Sequence, residues 1–107
     1  MDIELLFWSG CPSHPAALAE LRAALSEIGV DPGVVVARPV ETEAAAALDR
    51  FVGSPTIRVG GRDLFDPGDT PTGLNCRIYR RRNGQPSPTP DPDDLRAALR
   101  AALESTP

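Results

Sequence analysis

Ile3-Glu4-Leu5-Leu6-Phe7-Trp8-Ser9-Gly10-Cys11-Pro12-Ser13-His14 is the stretch on which the reading of this chain turns. Its first six residues form a mostly apolar run closed by Ser9-Gly10, too short for a stable helix and suited to a buried strand. Over residues 16–28, Leu18, Leu21, Leu25 and Ile28 recur at helical spacing, and Gly29 stands where a glycine commonly ends a helix. Cys11 and His14 therefore fall on a strand-to-helix turn. Open α/β sheets present ligands at such turns, and helix N-terminal amides stabilise an anion there. A thiolate is such an anion, and helix N-termini can lower a thiol pKa from near 8.5 to about 3.5–7.5. Pro15 tempers this argument. It fits a first helical turn and disfavours the α region at His14, so a helix starting at Ser13 or His14 leaves Cys11 in the turn before it.

Outward from this turn, Asp31-Pro32-Gly33 reads as a turn and residues 34–38, rich in valine, as a central strand closed by Pro39. Residues 41–50 read as a short Ala-rich helix with Thr42 as its N-cap. Ser54-Pro55-Thr56 opens a third strand reaching Val59, Gly60-Gly61 turns a hairpin, and residues 62–65 return. Residues 66–75 are a loop rich in Pro, Gly, Asp and Thr. Residues 76–80 suit a further short strand, Asn83-Gly84 a tight turn, and residues 85–90 a proline-rich connector. Asp91-Pro92-Asp93-Asp94 opens a last helix whose apolar stripe is Leu95, Leu99 and Leu103. The order βαβα, ββ, α calls for an α/β fold with a parallel pair joined by a right-handed crossover, an antiparallel hairpin, and helices on both faces.

The chain has 107 residues, the length of a single domain spanning 1–107 around one core. All eleven cations are Arg, which excludes Schiff-base and phosphate-loop lysines, and the net charge of -4 argues against a nucleic-acid partner. With 5% aromatic residues, platforms for stacking bases are not expected either. No apolar run approaches the roughly 20 residues of a membrane span. Met1-Asp2-Ile3-Glu4 lacks the positive charge of a secretory leader, so a cytoplasmic location is expected. In a reducing compartment two cysteines mean packing, metal binding or redox chemistry, and no cofactor motif is present.

The turn Phe7-Trp8-Ser9-Gly10-Cys11-Pro12-Ser13-His14 after a strand, together with Ser54-Pro55-Thr56 before the third, resembles the thioredoxin superfamily. That family carries Cys-x-x-Cys at this turn, with a cis-proline facing it. The resemblance implies a thioredoxin-like βαβα-ββ-α sheet in which Cys11 matches the nucleophile, His14 occupies the second-cysteine position and Pro55 matches the cis-proline. Because His14 cannot form the local disulfide, a partner thiol must come from elsewhere. Cys76 lies 65 residues after Cys11, beyond a hairpin expected to return the chain toward the same end of the sheet. The pair is also similar to that of alkylmercury lyases, in which a second cysteine follows the first by a comparable distance. There an aspartate stands where His14 is found here, so the resemblance leaves the protonating acid altered or supplied by Asp66 or Asp69.

Three functions follow as expectations. A small thiol–disulfide oxidoreductase would use a partly exposed Cys11 to attack a disulfide sulfur, with Cys76 resolving the mixed species. An alkylmercury-lyase-like or mercury-binding protein would capture a soft metal between Cys11 and Cys76. A non-catalytic module would present the edge at Pro55 to a peptide. The expected partners are accordingly a small thiol, a protein disulfide or a soft metal species. His14 serves either as a base that keeps Cys11 ionised or as a helix cap, and Cys76 equally suits a half-buried strand position. Structural zinc needs four ligands, one more than Cys11, His14 and Cys76 provide. The cluster Arg77, Arg80, Arg81 and Arg82 suits contact with an anion or partner but reads first as a solvated strand end.

Overall fold

A computed structural model describes residues 2–104. The apolar run at the start forms β1 (Ile3–Phe7), followed by α1 (His14–Glu27), a 3₁₀ turn over Pro32–Val34 and β2 (Val35–Pro39). Then come α2 (Glu43–Asp49), β3 (Thr56–Val59), β4 (Arg62–Asp63), β5 (Tyr79–Arg80), β6 (Pro86–Ser87) and α3 (Pro92–Glu104). The result is a mixed α/β fold in which a four-stranded sheet is ordered β2-β1-β3-β4 and β5 pairs separately with β6.

β1 is the central strand. It runs parallel to β2, with Leu5 opposite Ala37, and antiparallel to β3, with Leu5 opposite Ile57. Alternation along β1 sends its side chains to two different cores. Ile3 and Leu5 pack with Leu21 and Leu25 of α1 and with Leu95 and Leu99 of α3, whereas Leu6 packs with Val40, Ala46 and Phe51 beneath α2. Helices therefore cover both faces, as the element order requires.

β2 is an edge strand rather than the central strand expected. Val35 is buried but Val36 is 57% exposed. β-branched residues favour a pleated surface wherever it lies, so valine content identifies a strand without placing it in the sheet.

Helix boundaries follow local chemistry. Pro15 sits in the first turn of α1, which begins at His14. Its end is closed by Gly29 at φ 84°, with the Val30 N–H on the Leu25 carbonyl and the Gly29 N–H on the Ser26 carbonyl. Thr42 Oγ1 accepts the Ala45 N–H to start α2, and Asp91 Oδ1 accepts the Asp93 N–H to start α3.

The returning strand is shorter than the expected 62–65, because Asp63 Oδ1 takes the Phe65 N–H in an Asx turn that peels the chain away. Of residues 76–80 only Tyr79 and Arg80 form a strand. Their partner, Pro86–Ser87, lies in the stretch expected to be a connector. Proline tolerates such an edge because its missing N–H needs no ladder partner.

The arginine cluster is not simply a solvated strand end. Arg77 reaches Asp63 Oδ2 at 2.7 Å, the Phe65 carbonyl at 2.6 Å and Thr56 Oγ1 at 3.3 Å, and its guanidinium lies over the Tyr79 ring. Arg80 donates to the Gly84 carbonyl, Arg81 to Thr89 and Arg82 to Asp94. Among the described residues, no helix is long and apolar enough to cross a membrane.

Candidate thiol site

β1 ends, and β3 begins, at one end of the sheet, since Leu6 is opposite Thr56. The turn after β1 carries Cys11, and the residues before β3 are Ser54 and Pro55. From that end β3 runs away, and the Gly60-Gly61 turn sends β4 back, with Val59 opposite Arg62 and Arg58 opposite Asp63. The chain after β4 thus returns toward Cys11.

Cys76 arrives there through a clamp on Ser54. The Ser54 N–H donates to the Asn75 carbonyl at 2.7 Å, and the Arg77 N–H donates to the Ser54 carbonyl at 2.8 Å, forming a parallel bridge between Ser54 and Cys76. Gly53 permits this approach, because a Cβ there would lie 2.9 Å from Arg77 Cβ. The Ser54–Pro55 peptide is cis, as expected.

The clamp sets Cys76 beside Ser54, whose carbonyl also faces Cys11 Sγ, and both cysteines remain free thiols. Cys11 is 1% exposed, contrary to the expectation of partial exposure, while Cys76 is exposed. The turn itself folds Cys11 inward: its N–H donates to the Trp8 carbonyl, and the Trp8 ring lies over Gly10 so closely that a Cβ would collide with it.

Inside the turn, Cys11 Sγ lies 3.1 Å from Ser13 Oγ, and its S–H points to the Ser54 carbonyl at 3.5 Å. Burial alone would raise the Cys11 pKa. Interaction with the Cys76 thiol and with the Ser13 hydroxyl and backbone N–H outweighs it, so Cys11 titrates below an ordinary thiol. Cys76 is shifted upward by the same contact with Cys11, together with burial and the charge of the Cys11 thiolate. Ser54 Oγ is enclosed and makes no well-formed hydrogen bond among the described residues.

His14 does not face the sulfur. Its Nδ1 lies 3.0 Å from the Cys11 carbonyl, which can only accept, so this nitrogen carries the proton. The ring stacks on Phe7 with centroids 4.3 Å apart. The side chain thus braces the thiol turn through its backbone. Pro55 is buried and its carbonyl accepts from Tyr79 Oη. Burial drives the Tyr79 phenol well above its ordinary pKa, keeping it a neutral donor.

An open cleft of about 710 Å³ adjoins the pair on one side. Phe65, Asp66, Asn75, Cys76 and Ile78 are among its walls, whereas Cys11 and Asp69 are not. Of the two carboxylates considered as proton donors, Asp66 alone therefore shares a surface with Cys76. Among the described residues, no group of three or more His, Cys, Asp or Glu side chains could hold a metal ion.

Sequence reasoning missed Ser13, Ser54, Gly53 and Arg77. The only local signal was Ser13 itself, a preferred N-cap residue whose side chain accepts no helix hydrogen bond. In comparisons with family models, curated proteins and solved structures, the chain has no match in any of the three.

Proposed function

We propose that this chain is a thiol–disulfide redox protein with a thioredoxin-like arrangement, in which Cys11 and Cys76 alternate between dithiol and disulfide. The arrangement is supported by the strand order β2-β1-β3-β4, the parallel β1–β2 pair, and a cis-proline beside the thiol turn. The redox reading rests on one observation, that Ser54 gathers two thiols 65 residues apart, its carbonyl accepting from Cys11 Sγ and its backbone bridging to Cys76. A disulfide requires α-carbons within about 7 Å, a demand toward which the Ser54–Cys76 bridge works.

The reaction balances within the pair. A substrate disulfide R–S–S–R takes up two electrons and two protons from the thiols and leaves as two R–SH. The protein is left with a Cys11–Cys76 bond.

Treating the reduced protein with glutathione disulfide should give a monomer lighter by two hydrogens, with Cys11 and Cys76 joined in one peptide pair. Neither the Cys11→Ser nor the Cys76→Ser variant should form an intramolecular bond. A wild type that retains both thiols under these conditions sinks the redox reading.

A second reading is favoured by the same adjacency, because two neighbouring thiolates suit a soft metal ion. In that case the pair captures mercury, and Asp66, which lines the same cleft as Cys76, would pass a proton released by the thiols to the leaving carbon. Release of hydrocarbon from an organomercurial, without turnover of insulin disulfides, would favour this reading over the first.

A further inference from the structure

The two thiols differ in access in a way that sets the order of exchange. We infer that Cys76 is the sulfur that exchanges with external low-molecular-weight thiols and disulfides, through the cleft that it lines, and that Cys11 is the internal sulfur. This rests on the redox reading and reverses the roles expected from the sequence.

Thiolate attack on a disulfide is collinear with the bond that breaks. For an oxidised pair, a nucleophile attacking Cys76 approaches from the side away from Cys11, and Cys76 is exposed and lines a cleft that Cys11 does not. A nucleophile attacking Cys11 would have to approach from the side away from Cys76. Cys11 is 1% exposed, with Ser13 packed against its sulfur and the Trp8 carbonyl bonded to its backbone N–H. Access therefore selects Cys76.

The leaving sulfur is matched to this geometry. A thiol of lower pKa leaves faster, and the Ser13 hydroxyl and backbone N–H stabilise negative charge on Cys11. The external thiolate R–S⁻ attacks Cys76 Sγ, the Cys11–Cys76 bond breaks, and Cys11 departs as a thiolate held by Ser13. A second R–S⁻ then attacks the R sulfur of the mixed disulfide. R–S–S–R leaves, and the Cys76 thiolate takes up a proton. In reverse, Cys76 gives up its proton to solvent and opens R–S–S–R, releasing one R–S⁻, and the Cys11 thiolate then attacks Cys76 Sγ from inside, expelling the second R–S⁻ into the cleft.

The surroundings also select the substrate class. Both main-chain groups of Ser54 are used by Asn75 and Arg77, and Pro55 is buried with its carbonyl on Tyr79, so an extended peptide finds no main-chain partner at either residue. A concave site of about 710 Å³, with Ile78 and Phe65 as apolar walls, lies in the size range of small-molecule pockets.

Oxidised wild type is mixed briefly with reduced glutathione, quenched in acid, and mapped by mass spectrometry. Glutathione is expected on the Cys76 peptide, with Cys11 as a free thiol. Glutathione on Cys11 overturns the inference. In parallel, folded Cys11→Ser should react rapidly with 4,4′-dithiodipyridine, while folded Cys76→Ser should react at least about tenfold more slowly and recover in guanidinium. Equal rates for the two folded variants also overturn it. A wild type that never forms the Cys11–Cys76 bond defeats the redox reading instead, and the variant rates still decide which sulfur meets external reagents.

Discussion

Ser13 Oγ lies 3.1 Å from Cys11 Sγ, although Ser13 is the N-cap of α1 and a serine there ordinarily caps the helix amides. The hydroxyl has been diverted from the helix to the sulfur. Ser13→Ala should therefore raise the Cys11 pKa, because the thiolate loses a donor, as read by the pH dependence of thiolate ultraviolet absorbance. Its effect on stability near neutral pH should stay within about 0.5 kcal/mol, against about 1 kcal/mol for loss of a working cap. A large stability loss without a shift in titration would return Ser13 to a structural role.

Coupling of the two thiols gives a pH dependence whose sign follows from the shifts. Cys11 is lowered on folding, so it adds stability as pH rises from its folded pKa toward the ordinary thiol value, and loses it as pH falls through the folded pKa. Cys76 is raised, so its contribution is present below the ordinary value and is lost as pH rises through its folded pKa. The pair should titrate in two separated steps, one below and one above an ordinary thiol. Cys76→Ala removes the strongest donor to the Cys11 sulfur, and the remaining thiol should titrate higher than the first step of the wild type. A single unshifted step in the wild type would show that the thiols do not interact in solution.

His14 bonds the Cys11 carbonyl and stacks on Phe7, contacts that suit a brace for the turn. His14→Ala removes a hydrogen bond to the Cys11 carbonyl and the stack on Phe7, together costing roughly 1–2 kcal/mol in chemical denaturation. The first thiol step should stay below that of an ordinary thiol, because Cys76 and Ser13, the groups that chiefly lower it, are left in place. A return of that step to the ordinary value would restore His14 as the group that ionises Cys11.

What could be read from the sequence was local. The apolar run of β1, the leucine stripes of α1 and α3, the Gly60-Gly61 turn and the caps at Thr42 and Asp91 each signal themselves within a few residues. The place of β2 at the edge was hidden because Val34-Val35-Val36 specifies a pleated surface, not its neighbours. β6 was hidden because its partner strand is only two residues long and its ladder begins with a proline. The meeting of Cys11 and Cys76 was legible from the direction of the hairpin. The burial of Cys11 was not, since it depends on Trp8 folding over Gly10 and on residues 75–77 clamping Ser54.

Arg77 and Asp63 hold the Cys76 segment onto the hairpin with side chains only 10% and 15% exposed. Breaking such a pair strands a charge in low dielectric, so Arg77→Leu or Asp63→Asn should cost about 3 kcal/mol. Arg96→Ala, whose partners Glu27 and Asp93 are 55% and 58% exposed, should cost under about 1 kcal/mol. Equal costs in denaturant titrations would show that the Arg77 pair is solvated in solution.

Gly53 offers the sharpest test of the clamp, because its substitution leaves both thiols and all their hydrogen-bonding side chains in place. A Cβ at position 53 would lie 2.9 Å from Arg77 Cβ and 3.1 Å from Arg77 N, the atom that bonds the Ser54 carbonyl. Backbone cannot retreat as a flexible side chain does, so Gly53→Ala must push residues 75–77 away from Ser54. Overpacking of this kind costs about 1–3 kcal/mol. The more specific consequence is chemical. With Cys76 displaced, Cys11 loses its strongest donor and should titrate higher, and glutathione disulfide should close the Cys11–Cys76 bond more slowly than in the wild type. The destabilisation can be separated from the displacement by comparing Gly53→Ala with Leu103→Ala, a change in the core beneath α3 away from the clamp. If both variants form the bond at the wild-type rate while folded, the clamp on Ser54 does not position Cys76.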